Sequence, residues 1–169
     1  MSNASWNREQ LFSSTGIEGS GDWATPSALF EALDAEFGFD LDACATASNT
    51  TCDDFISPDE DAMTVDWETR GSTIWVNPPY GRGVLDWVKK AYLTSLRGCT
   101  VVVLIFARTD TRWWHLYASR AAEIRFIKGR VHFNRGSATG PATAPSALLV
   151  FSETLRRPVI QHVILPRGD

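Results

Sequence analysis

At 169 residues the chain is close to the roughly 150 of one typical domain, which leaves no room for a large second one. Apolar residues make up 44% and charged residues 21%, with seven Trp and nine Phe, a composition that supports a packed core and excludes general disorder. The net charge of -4 conceals a division: residues 1–84 carry three Arg against fifteen acids, whereas residues 85–169 carry thirteen Lys or Arg against five acids. A basic second half fits a polyanionic partner, and it fits equally a chain with two solvated faces.

Other classes are disfavoured by pattern. The longest apolar run, Val101 to Ala107, falls short of the roughly 18 residues of a membrane-spanning helix, so no membrane partner is expected. The first twenty residues are polar and glycine-dotted, unlike a secretory leader, which points to the cytoplasm. Cys44, Cys52 and Cys99 are odd in number, with no CxxC spacing and no nearby histidine, so neither a disulfide framework nor a metal site is expected.

Residues 1–22 lack sustained periodicity and read as a flexible arm, with one folded domain over residues 23–169. Thr25-Pro26 has the form of an N-cap followed by proline at the first helical position, and Leu29, Phe30, Leu33 and Phe37 then share a helical face as far as Gly38. A short strand, Phe39 to Ala43, is followed by an acidic, turn-rich segment to about Gly71. Ser72 to Asn77 reads as a second strand. Val84, Leu85, Val88, Ala91, Tyr92 and Leu96 predict a helix stopped at Gly98. Thr100 to Ala107 has the continuous apolar character of a strand covered on both faces. Thr111 to Arg120 reads as helix, and Ile124 to Ile127, Ala147 to Phe151 and Val159 to Leu165 as strands. Alternating helices and buried strands predict an α/β fold with a mostly parallel sheet and ligand sites at the carboxyl ends of its strands.

Asn77-Pro78-Pro79-Tyr80 falls at such an end. Consecutive prolines hold the backbone extended and lack amide donors, so the Asn side-chain oxygen and a main-chain carbonyl can converge on one point. That arrangement suits a planar exocyclic amine, and the Tyr ring offers a face for a flipped-out base. The same residue types also make an ordinary rigid turn between strand and helix.

Around this tetrapeptide the chain resembles the amino-group DNA methyltransferases, specifically the small phage-type N6-adenine enzymes. The matching pieces run in order over about residues 22–152: WATPSALFEALDAEFGF, LDACATASNTTCDDFISPDEDAMTVDW, WVNPPYGRG, ARTDTRWWH, FIKGRVHF and APSALLVF. The resemblance implies a Rossmann-like methyltransferase fold with helices on both faces of the sheet. It implies S-adenosylmethionine as cofactor, adenine N6 in DNA as acceptor, and Asn77, Pro78, Pro79 and Tyr80 as the catalytic motif. It places Trp23, Thr25 and Pro26 near the amino-acid end of the cofactor, and Asp42, Ala43 and Cys44 in the cofactor loop. Asp66 then takes the position expected to meet the cofactor's adenine amine, with Asn49 and Asp61 as further polar candidates.

Local readings compete with several of these roles. Asp61 lies in an acidic run of the kind usually solvated, Trp67 beside Asp66 suits the core, and Trp23 suits a hydrophobic staple. The cofactor segment DACATASN also lacks the glycines that many methyltransferases carry there. Arg108, Arg112, Lys128 and Arg130, with Arg82 beside the motif, are the candidate DNA contacts, Arg108 being equally suited to pair with Asp110. A cytosine-C5 mechanism is disfavoured, because no cysteine stands in a Pro-Cys context. Two alternatives stay open: a non-catalytic DNA-binding protein that retains the fold, and an enzyme acting on cytosine N4 or another planar amine.

Overall fold

The structure, a computed structural model, describes residues 24–81, 83–135, 138–154 and 159–164. The arm at 1–22 and the candidates Trp23 and Arg82 lie outside the described residues. Helix α1 spans Ser27–Phe37 and turns Leu29, Phe30 and Leu33 inward. It stops at Gly38, whose left-handed φ of 65° a residue with a Cβ would adopt only at a cost, and the Gly38 N–H donates to the Asp34 carbonyl. Its start departs from expectation by one residue. Pro26 is the N-cap, its carbonyl accepting from the Leu29 and Phe30 amides, and no side chain caps the helix. The reason is that Ala24 is held extended by antiparallel pairing with Asn134, which leaves Thr25 outside the helix with its hydroxyl turned elsewhere.

Strand β1 is only Leu41–Asp42, shorter than the Phe39 to Ala43 expected. Isolated backbone bonds extend its pairing, Asp40 N–H to the Thr73 carbonyl and Ala43 N–H to that of Trp75. Strand β2, Thr73–Val76, runs parallel to β1, with Asp42 opposite Trp75. Between them the acidic segment is tied down rather than loose. Arg70 pairs with both Asp54 and Glu60, and the Trp67 indole, fully buried, donates to the Ala62 carbonyl at 2.9 Å. Trp67 is thus a core residue. Gly71 permits the entry into β2, because a Cβ there would come within 2.5 Å of the Asp40 carboxylate.

Helix α2, Val84–Ser95, leads to strand β3, Thr100–Phe106, which is parallel to β2. The helix expected over Thr111 to Arg120 is broken at Tyr117, giving a short α3, Arg112–Leu116, and a 3-10 turn, Ala118–Arg120. At the break Tyr117 has φ -130°, and its ring packs against Tyr92 of α2. Strand β4, Glu123–Lys128, is followed by a hairpin of β5, His132–Arg135, and β6, Ala138–Pro141. Nothing in the sequence signalled this hairpin, whose strands are polar and small-residue-rich. Its hold on the body comes from the buried Val131, Phe133 and Ala142. Strands β7, Ser146–Phe151, and β8, Val159–Ile164, complete the fold.

The main sheet has the order β1-β2-β3-β7-β4-β8. Its pairs β1–β2, β2–β3 and β4–β8 are parallel, whereas β7 is antiparallel to both neighbours because the hairpin returns the chain alongside β4. Side chains alternate between faces along a strand. Val101, Val103 and Ile105 accordingly join one buried cluster with Val84, Val88 and Ala91 of α2, and Val102 and Leu104 join another with Leu29, Phe30 and Leu33 of α1.

Candidate active site

Strands β2, β3 and β4 point the same way, so the segments that follow them emerge at one end of the sheet. Asn77 follows β2 directly, and Pro78 behind it is buried. The Asn77 amide bridges two hydroxyls: Nδ2 donates to Thr25 Oγ1 at 3.2 Å, and the Tyr80 hydroxyl donates to Asn77 Oδ1 at 3.1 Å. The Tyr80 ring lies parallel to Phe106 at the end of β3, with centroids 4.0 Å apart, and Phe133 of β5 stands at 5.8 Å on a tilt. Burial, with the neighbouring Cys44 thiol adding to it, pushes the Tyr80 phenol well above its ordinary range, so it remains a hydrogen-bond donor. The loop after β1 lies beside the strand that leads into the tetrapeptide, the Ala43 amide donating to the Trp75 carbonyl at 2.9 Å.

That loop is organised by Asp42, which is 3% exposed. Its carboxylate accepts from the Cys44 amide at 3.2 Å, the Thr51 amide at 3.2 Å and the Thr51 hydroxyl at 2.9 Å. Burial raises the Asp42 carboxyl even so, and these three donors only partly offset it. A buried carboxylate left under-compensated in this way favours a cation beside it. Burial, with the Asp42 charge adding to it, pushes the thiols up, Cys52 to about 12 and Cys44 further, so neither is an activated nucleophile. Ala43 is fully buried, and Asn49 Oδ1 closes the loop by accepting from the Thr46 amide and hydroxyl at 2.6 and 2.9 Å.

Thr25, Asp42, Ala43, Cys44, Asn77 and Tyr80 are therefore brought together, with Asn49 supporting their loop. Asp61 and Asp66 are placed differently. Asp61 is exposed, has φ 58° and accepts from the Met63 amide within its own turn. Asp66 is exposed as well, and its carboxylate lies 3.7 Å from Arg97 at the far end of α2.

The candidate DNA contacts Arg108, Arg112, Lys128 and Arg130 are all exposed. Arg108 and Arg112 follow β3 and Lys128 and Arg130 follow or end β4, so all four lie at the same end of the sheet as Asn77. The Arg108 guanidinium sits 5.9 Å from the Phe106 ring centroid, which brings a cation to the ring that stacks on Tyr80. Phe106, Phe133 and Ser146 are site neighbours that sequence reasoning did not single out, because each arrives by long-range pairing. Ser146 is opposite Phe106 in the β3–β7 ladder, 1% exposed, and its hydroxyl has no partner among the described residues.

The family model for DNA N-6-adenine-methyltransferase (Dam) matches residues 13–166. The chain is 35% identical over 136 residues to the DNA N-6-adenine-methyltransferase of Haemophilus phage HP1, covering 76% of this chain and 77% of that protein. It is 32% identical over 107 residues to the protein of the same name from Escherichia phage T1, covering 63% of this chain and 44% of that one. With a match over nearly its whole length and the tetrapeptide seated at a strand end among its partners, the chain belongs to the DNA N-6-adenine-methyltransferase (Dam) family.

Proposed function

We infer that this chain is an adenine-specific DNA methyltransferase, moving a methyl group from S-adenosylmethionine to N6 of adenine in DNA. The observation that carries the reading is the seating of Asn77 to Tyr80 at the end of β2, one strand from the buried Asp42, in a chain of this family. Asn77 Oδ1 and the Pro78 carbonyl accept the amine hydrogens of a flipped-out adenine. That draws the nitrogen lone pair out of conjugation toward the methyl donor. The base stacks on Tyr80, and the aromatic groups around it keep water from the reacting nitrogen. No covalent intermediate is required, and the high thiol pKa values of Cys44 and Cys52 agree with that.

The residues at the end of β1 fit the cofactor. When bound, S-adenosylmethionine supplies an electrophilic methyl on a sulfonium, and its ammonium is the kind of cation the buried Asp42 favours. Asp42, Ala43, Cys44, Thr25 and Pro26 are the residues we assign to it, with Asn49 shaping the loop. The exposed ion pair of Asp66 with Arg97 argues for a role of Asp66 outside this pocket. The sheet is read as Rossmann-like with helices on both faces, supported by α1 and α2 sharing core with alternate residues of β3. In this reading DNA lies over Arg108, Arg112, Lys128 and Arg130 and the reaction occurs in the cytoplasm of a host cell, a reading that the phage origin of the relatives supports.

Incubation with tritiated S-adenosylmethionine and unmethylated DNA, followed by nucleoside analysis, tests the reading. Label is expected in N6-methyladenine. Label confined to cytosine, RNA or protein overturns it.

A further inference from the structure

We propose that the β5–β6 hairpin reads the sequence around the target adenine, with His132 meeting a base edge in the major groove, a role that rests on the reading of this chain as a methyltransferase for adenine in DNA. Among the described residues the hairpin is a two-stranded sheet of its own, apart from the six strands of the main sheet. It follows β4 at the end of the sheet where Asn77 lies, and its Phe133 ring is 5.8 Å from that of Tyr80. One face of the hairpin therefore reaches the place where the base is held.

The other face is turned to solvent. Val131 and Phe133 are buried, whereas Arg130 and His132 are exposed, as alternation along a strand requires. His132 can donate or accept a hydrogen bond, and it follows two exposed cations, Lys128 and Arg130, on the turn that leads into β5. Residues 124–152 contain no Asp or Glu, so nothing in this stretch of chain repels a phosphate backbone. Strand β5 is bonded on both sides, to β6 and to Ala24, the latter at 2.8 and 3.2 Å, which sets His132 on a paired strand rather than a loop. The major groove admits a two-stranded ribbon, and every base pair presents a purine N7 there. Helix α3, at the same end, is five residues long and commits Trp114 to the core, a poorer fit to a groove. Lys128 and Arg130 then position the duplex through phosphates, and His132 specifies sequence.

The experiment uses a pool of duplexes with randomised bases on both sides of one adenine, methylated with S-adenosylmethionine and sequenced for N6-methyladenine. Wild type, His132→Ala, Lys128→Ala and Arg112→Ala are compared. Wild type should select bases at flanking positions, and His132→Ala should lose about three- to tenfold of that selection at one of them. Lys128→Ala should weaken binding to all duplexes alike and reduce the slope of log affinity against log salt by about 0.9. Replacing the purine at the affected position by its 7-deaza analogue removes N7. That change should cost wild type about the same three- to tenfold and His132→Ala nothing further. An unselective wild type, a selection unchanged in His132→Ala or lost instead in Arg112→Ala, or an equal 7-deaza penalty in wild type and His132→Ala overturns the proposal while methyl transfer to adenine stands. Absence of N6-methyladenine from every duplex overturns the function, and this proposal with it.

Discussion

The two ends of the sheet use polar residues in different ways. At the amino end, charges are matched within the fold. Asp40 accepts from the Ser72 and Thr73 amides, Arg97 pairs with Glu68 and Asp66, and Arg125 is clamped between Glu36 and Glu123. At the carboxyl end the Asn77 amide lies between the Thr25 and Tyr80 hydroxyls, Asp42 is under-compensated by its three donors, and four cations at the same end are exposed. Groups satisfied within the fold contribute stability. Groups held in place but incompletely satisfied are prepared for something that arrives later.

The sharpest break in this comparison is Asn77→Ala, which should lower methyl transfer on the order of 100- to 1000-fold while calorimetry shows nearly unchanged cofactor affinity. An equal loss of cofactor affinity would move Asn77 out of the acceptor role. Its counterpart at the other end is Arg125→Ala. The Arg125 and Glu123 side chains are 9% and 10% exposed, so removing the cation strands a buried carboxylate and should cost about 3–5 kcal/mol in chemical denaturation. The Arg125 variant should also respond differently to acid. Hydrogen bonding to Arg125 lowers the Glu36 carboxyl below its ordinary 4.5, so the stability this pair provides is complete above that pH and lost as pH falls through the lowered value. Wild-type protein should therefore lose this increment on acidification, and Arg125→Ala should not.

Asp42 and Asp66 sharpen the contrast between one buried and one exposed carboxylate of the same half of the chain. Asp42→Ala should weaken S-adenosylmethionine binding roughly five- to 100-fold, and Asp66→Ala should leave it within about twofold. The reverse ranking would return Asp66 to the cofactor. Replacing Arg108, Arg112, Lys128 and Arg130 together by Ala should reduce the slope of log affinity against log salt by about 3.6 if all four meet phosphates of duplex DNA. An unchanged slope would put the DNA elsewhere. The smallest effect is expected at Ser146, where Ala removes a buried hydroxyl without a partner among the described residues and should raise stability by about 1 kcal/mol. A fall in activity at unchanged stability would show that this hydroxyl meets substrate.

Much of the frame follows from the sequence because it depends on local pattern. The apolar face Leu29, Phe30 and Leu33, the stop at Gly38 and the run Val101 to Ile105 require burial on defined faces, and any fold of this chain must provide it. Asn77-Pro78-Pro79-Tyr80 is equally local, since two prolines set the backbone whatever surrounds them. What only the tertiary structure decided are relations between residues far apart in the chain. The β5–β6 hairpin has no strong periodicity and is held by three buried side chains and by Ala24. The reversal of β7 follows from that hairpin, and the Tyr80–Phe106 stack from the pairing of β2 with β3. Thr25 reads from sequence as a helix cap, because capping is its best local option. Asn77 lies 52 residues away in the chain, and once packing brings it within 3.2 Å the threonine hydroxyl takes that partner instead. Asp66 shows the converse, a carboxylate beside a buried tryptophan that packing turns outward to Arg97.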